Sequence, residues 1–123
     1  MIKNKFRSKL EKNFYTQFKK DITGYETNTI EYAITHRYTP DFEIAKNTYI
    51  ETKGIFDSAD RTKIKNVLLQ NPGIMIIMVF QKPHMTISKA SKTTYAQWCE
   101  KNDIPWFDVN DVAGIRRMLS AIL

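Results

Sequence analysis

Asp41, Glu51 and Lys53 are the residues of this 123-residue chain best fitted for chemistry. Asp41 follows Pro40, nine residues separate it from Glu51, and Lys53 lies two positions further on. Carboxylate oxygens are hard ligands that suit Mg²⁺ or Mn²⁺. A divalent cation held by two of them lowers the pKa of a bound water and neutralises charge on a phosphate. On a strand, residues i and i+2 share a face, so Lys53 stands beside Glu51, within reach of an attacking water or a phosphate oxygen. Glu11, on an earlier helix, is a further carboxylate of interest.

For the pair to act, the chain must bring Asp41 and Glu51 together. Residues 41–45 and 48–53 are both β-patterned, and Ala45-Lys46-Asn47 makes a plausible hairpin tip. Register decides the outcome. A two-residue loop at Lys46-Asn47 sets Asp41 opposite Thr52 and leaves Glu51 on the other face. A three-residue loop from Ala45 to Asn47, or a bulge or bend near Pro40, sets Asp41 across from Glu51, and that is the expected arrangement.

The surrounding elements follow from periodicity. Phe6, Leu10, Phe14 and Phe18 recur four apart and predict a helix over 6–20, with Glu11 about 100° off the apolar stripe. Residues 27–38 read as a strand or extended connection. Asp57 or Ser58 caps a helix running to about Gln70, whose inner face is Ile64, Val67 and Leu68. The apolar run from Ile74 to Phe80 predicts a buried strand, parallel to 48–53 through a single crossover. Thr94 and Gln97 resemble a capping box, Trp106-Phe107 a short strand, and 111–122 a final amphipathic helix. The whole is expected to be one α/β domain, a mixed β-sheet flanked by helices.

Composition narrows the function class. The net charge is +6, and no acid occurs between Arg61 and Cys99, a stretch holding Arg61, Lys63, Lys65, Lys82, Lys89 and Lys92. A second basic cluster, Lys3, Lys5, Arg7, Lys9 and Lys12, fills the N-terminus. Two such clusters around a carboxylate site favour a polyanion partner, and Lys5, Arg7, Lys9, Lys12, Arg61, Lys63, Lys65, Lys89 and Lys92 are the expected DNA contacts. Contacts of that kind give affinity and salt dependence rather than sequence choice. Seven apolar residues in a row fall far short of a membrane span. The single cysteine, Cys99, excludes an intrachain disulfide and fits a reducing, cytoplasmic setting.

The P-D-x9-E-x-K spacing resembles that of the PD-(D/E)xK nucleases, whose fold is restriction-endonuclease-like. Four blocks then resemble, in order, segments of the phage endonuclease I family of Holliday-junction resolvases. They are Phe6 to Glu11, Tyr38 to Phe42, Glu51 to Gly54, and Thr94 to Lys101, and the likeness runs from about residue 6 to about 108. The resemblance implies a homodimer that cuts four-way (Holliday) junctions and branched DNA with Mg²⁺ or Mn²⁺, one or two ions per active site. It implies Glu11, Asp41 and Glu51 as metal ligands, the Thr52 backbone carbonyl as a further one, and Lys53 as the group assisting the nucleophile. The family dimer is intertwined, so the Glu11 helix is placed to complete the partner's site. The segment from Glu26 to Tyr38, which matches the family's inter-subunit bridge, is short here. A phage nuclease of this kind would act in the host cytoplasm.

Two other readings fit some of these residues. One is a different nuclease of the PD-(D/E)xK group, of transposon-end, mismatch or restriction type. The other is a non-catalytic DNA-binding module with structural carboxylates. Among the remaining polar residues, Glu26 is a candidate partner behind the ligands. Asp57 and Asp60 read as helix cap and first-turn acid. His36 and His84 read as surface or phosphate-contacting groups, and Cys99 as core.

Overall fold

The computed structural model describes residues 6–122. They form two compact units, one ending at His36 and the other starting at Arg37.

The first unit is built on α1 (Lys9–Phe18). The helix starts later than its apolar spacing suggests because Ser8 caps it, accepting from the Glu11 N–H at 3.1 Å. Phe6 packs beside Tyr15 and Tyr25, with ring centroids 5.2 and 4.6 Å apart. The rest of the predicted stripe is not buried: Leu10 is 78 % exposed, Phe14 56 % and Phe18 42 %. Residues 27–36 carry no strand, so the connection, of the two expected alternatives, is the one observed.

The second unit holds a four-stranded sheet of β1 (Phe42–Ala45), β2 (Thr48–Lys53), β3 (Met75–Phe80) and β4 (Trp106–Asp108), in that spatial order. β1 runs antiparallel to β2, while β2–β3 and β3–β4 are parallel, as the single crossover requires. That crossover is α2 (Ser58–Gln70). The shorter α3 (Tyr95–Lys101) and the closing α4 (Val112–Ile122) complete the unit. The result is a mixed sheet flanked by helices, as expected.

Alternation along β3 divides the core. Ile76, Met78 and Phe80 join Phe56, Ile64 of α2, Tyr95 and Cys99 of α3, and Ile104 in one buried cluster. Ile77 and Val79 point the other way and meet Ile50, with Ile115, Met118, Leu119 and Ile122 of α4. By the same alternation Glu51 and Lys53, paired in register with Met78 and Phe80, belong to the α2–α3 side. Thr94 and Gln97 make the capping box expected for α3.

The hairpin solves the register problem in its own way. The loop is Lys46-Asn47, the short form, with Asn47 at φ 58°, a conformation asparagine tolerates. Ala45 pairs with Thr48, but Glu43 pairs with Tyr49 and Phe42 with Ile50, so one residue bulges out at Ile44. The bulge sits inside β1, neither in a longer loop nor at Pro40. It shifts the register by one and returns Asp41 to the position opposite Glu51.

Candidate active site

Asp41 enters the site at the bend just before β1, and Glu51 and Lys53 enter it from β2. The two acids are joined directly, the Asp41 N–H donating to Glu51 Oε1 at 3.0 Å. Asp41 Oδ2 in turn accepts from the N–H of Thr52 at 2.9 Å and from its hydroxyl at 2.8 Å. These donors fix the Asp41 carboxylate and hold its pKa below the usual value, the Thr52 N–H contributing most.

Glu51 is the opposite case. It is the one buried charged residue, 6 % exposed, among the described residues. Burial pushes its pKa up, while the Asp41 N–H pulls it back. The Tyr38 hydroxyl is itself buried with no hydrogen-bond partner among the described residues. Burial first and the Glu51 charge next keep it protonated well beyond the ordinary tyrosine range. The arrangement therefore holds one acid firmly ionised and makes the other costly to ionise without a counter-charge.

Asp41 Oδ1 and Glu51 Oε2 accept no hydrogen bond among the described residues. Two hard carboxylates with an oxygen each to spare fit Mg²⁺, which is commonly bound by one or two carboxylates and completes its shell with water and substrate phosphate. No group of three or more His, Cys, Asp and Glu side chains lies together among the described residues. Lys53 extends from the same strand as Glu51, and its Nζ lies 3.2 Å from Asp60 Oδ1.

Glu11 belongs to the first unit and is half-buried there. Its Oε2 accepts from the Tyr25 hydroxyl at 2.7 Å, and its Oε1 lies 3.4 Å from the Ser8 hydroxyl. Tyr25 also receives the Arg7 N–H at 3.2 Å. Burial, then the bond to Glu11, raises its pKa. Beside Glu11 lies a hollow of about 420 Å³ lined by Leu10, Phe14, Ile22 and Tyr25. Glu26 pairs with Arg7 at 2.9 Å on the surface, so within this unit its role is an exposed ion pair.

The expected DNA contacts divide by environment. Lys5 lies outside the described residues. Lys9, Lys12, Lys63, Lys65, Lys89 and Lys92 are exposed, whereas Arg7 is engaged by Glu26. Arg61 points inward, its Nη1 donating to the Phe56 carbonyl at 2.6 Å and the Ile87 carbonyl at 3.4 Å. It braces the loop after β3 against the start of α2. A hollow of about 490 Å³ is lined by Lys92, Thr93, Gln97, Glu100 and Lys101.

Three contributors escaped the sequence reading. The Thr52 side chain was visible only as a neighbour of Glu51, and Tyr38 only as part of a block. Asp60 was read as a helix acid and is one, but it also holds Lys53. A carboxylate seven residues beyond a strand lysine gives no periodic signal.

Comparison with known proteins identifies the family. The family model of phage endonuclease I matches residues 2–118. Endodeoxyribonuclease 1 of Enterobacteria phage T3 is 40 % identical over 117 residues, covering 90 % of this chain and 77 % of that protein. Endonuclease I of Escherichia phage T7 is 37 % identical over 108 residues, covering 84 % of this chain and 72 % of that protein. The stretch matched by the family model includes Glu11, the hairpin with Asp41, Glu51 and Lys53, and most of α4, and on this evidence the chain belongs to the phage endonuclease I family.

Proposed function

We propose that this protein is a metal-dependent, structure-selective DNA endonuclease that cuts four-way junctions and other branched DNA as a homodimer. Family membership gives the coarse activity, DNA cleavage by phosphodiester hydrolysis. The observation that carries the finer reading is the opposition of Asp41 and Glu51 across a bulged hairpin, with Lys53 beside them. That donor set has the look of a PD-(D/E)xK nuclease centre.

When bound, Mg²⁺ or Mn²⁺ would supply Lewis acidity toward the scissile phosphate and a lowered pKa for water. The chain's own groups do the rest. Asp41, fixed by Thr52, presents Oδ1, and Glu51 presents Oε2 from the buried side. Lys53 supplies a cation beside them to orient the attacking water or to neutralise a phosphate oxygen. Water attacks phosphorus in line and the P–O3′ bond breaks, leaving 5′-phosphate and 3′-hydroxyl ends. The Thr52 carbonyl and Glu11 are the further ligand candidates.

The dimer is supported by the exposed Leu10, Phe14 and Phe18 stripe on α1. A row of large apolar side chains left open to water is what a second chain would cover. Selectivity for branched DNA then comes from the geometry of two sites and from lysine contacts with the backbone.

The test is cleavage of a synthetic four-way junction in Mg²⁺, beside a linear duplex built from the same arms. Paired nicks confined to the junction support the reading. Equal cutting of both substrates leaves a nuclease without junction selectivity, and salt-sensitive binding with no cutting would make the protein a binding module.

A further inference from the structure

The geometry points to Asp60 as the residue that positions Lys53 for catalysis. The inference rests on the nuclease reading of the Asp41–Glu51 site and deepens it. Lys53 has a long, flexible stem, and its side chain is 28 % exposed, so something must aim its ammonium group. Asp60 does so from the first turn of α2, with Oδ1 at 3.2 Å from Lys53 Nζ.

The carboxylate is held on its other side as well. Its Oδ2 accepts from the Asp57 N–H at 3.3 Å, and its own N–H donates to Asp57 Oδ1 at 2.9 Å. This is the capping box of α2, in which the residue at that position is usually glutamate or glutamine. Here the shorter aspartate makes a long bond to the cap and a second bond to the lysine. One side chain thus ties the helix start to β2. Phe56, wholly buried between cap and strand, and Ile64 of α2 fix that helix in the core. The aim of Lys53 is therefore set by a packed helix and not by the lysine alone.

Two variants separate aiming from capping. Asp60→Asn keeps an oxygen for the Asp57 N–H and removes the charge that holds Lys53. Asp57→Ala removes the cap and leaves the Lys53–Asp60 pair. We expect Asp60→Asn to lower single-turnover cleavage of the four-way junction by about ten- to a hundredfold. Its junction affinity in EDTA and its Tm should stay close to wild type. Asp57→Ala should lower the Tm and keep the cleavage rate below that Tm.

A full rate for Asp60→Asn would overturn the positioning role while leaving the site reading intact. Equal rate losses in the two variants would overturn it too, because capping would then be the cause. Wild-type protein that cuts no DNA in Mg²⁺ or Mn²⁺ would overturn both. If Asp60→Asn does not fold, ¹⁵N relaxation of the lysine ammonium groups in wild-type protein decides. Lys53 Nζ must be more ordered than Lys63 and Lys65, and equal mobility would refute the pin.

Discussion

Asp41 donates its own backbone N–H to the Glu51 carboxylate at 3.0 Å, and both residues stand opposed only because β1 bulges at Ile44. The bond leaves Glu51 half satisfied in a buried position. Its raised pKa means that above the unfolded-state pKa the ionised form costs folding free energy. Glu51→Gln removes the charge and keeps an acceptor for the Asp41 N–H. It should raise stability in EDTA by roughly 1 kcal/mol, read as a higher Tm, while abolishing cleavage. A lower Tm would mean that Glu51 is a structural asset and not a strained functional group.

The same pair sets a pH dependence. Asp41, with a depressed pKa, stays ionised as pH falls, whereas Glu51, with a raised one, takes up its proton first. Divalent metal competes with that proton. The increase in Tm given by Mn²⁺ should therefore be full at neutral pH and shrink as pH drops through the Glu51 range. Differential scanning fluorimetry across pH, with and without Mn²⁺, measures it, and a shift independent of pH would place the metal elsewhere.

Lys53→Ala should bind a four-way junction in EDTA with near wild-type affinity and lose cleavage by about a hundredfold or more. Gel-shift and single-turnover assays on one preparation separate the two. A wild-type rate would remove Lys53 from the chemistry.

The open face of α1 makes an oligomer test direct. Wild-type protein should sediment as a dimer at micromolar concentration, and Phe14→Asp should shift it to monomer by placing a charge in the apolar seam. Dimers unchanged by Phe14→Asp would locate the interface on another surface.

Cys99 is fully buried, and burial, then the charge of Glu100, pushes its thiol up to about 12. Native protein at pH 8 should react with a maleimide at least about a hundredfold more slowly than protein in denaturant. Fast native labelling would show that the cluster around Phe56 and Phe80 opens readily.

Much of this was legible in the residues. The parallel pairing of β2 and β3 followed from an apolar run after one helical crossover, and the α3 capping box from Thr94 and Gln97 alone. Opposition of Asp41 and Glu51 was legible as a requirement, but its means was not. A bulge at Ile44 has no compositional mark, since the same β-branched residue suits a regular pair. The apolar stripe of α1 is legible from its spacing, but Leu10, Phe14 and Phe18 are exposed. Periodicity reports that a face wants burial and says nothing about whether its own chain can supply the cover. An acid in the first turn of a helix is common enough that Asp60 carried no separate mark of its bond to Lys53.

Whether Asp41 and Glu51 hold the metal is decided by titration calorimetry with Mn²⁺ of wild-type protein and Asp41→Asn at neutral pH without DNA. The wild type should show saturable binding that Asp41→Asn loses, with the fold retained because Thr52 can still donate to the remaining side-chain oxygen. Equal binding by the two proteins would contradict the assignment of Asp41 and Glu51 as the metal centre.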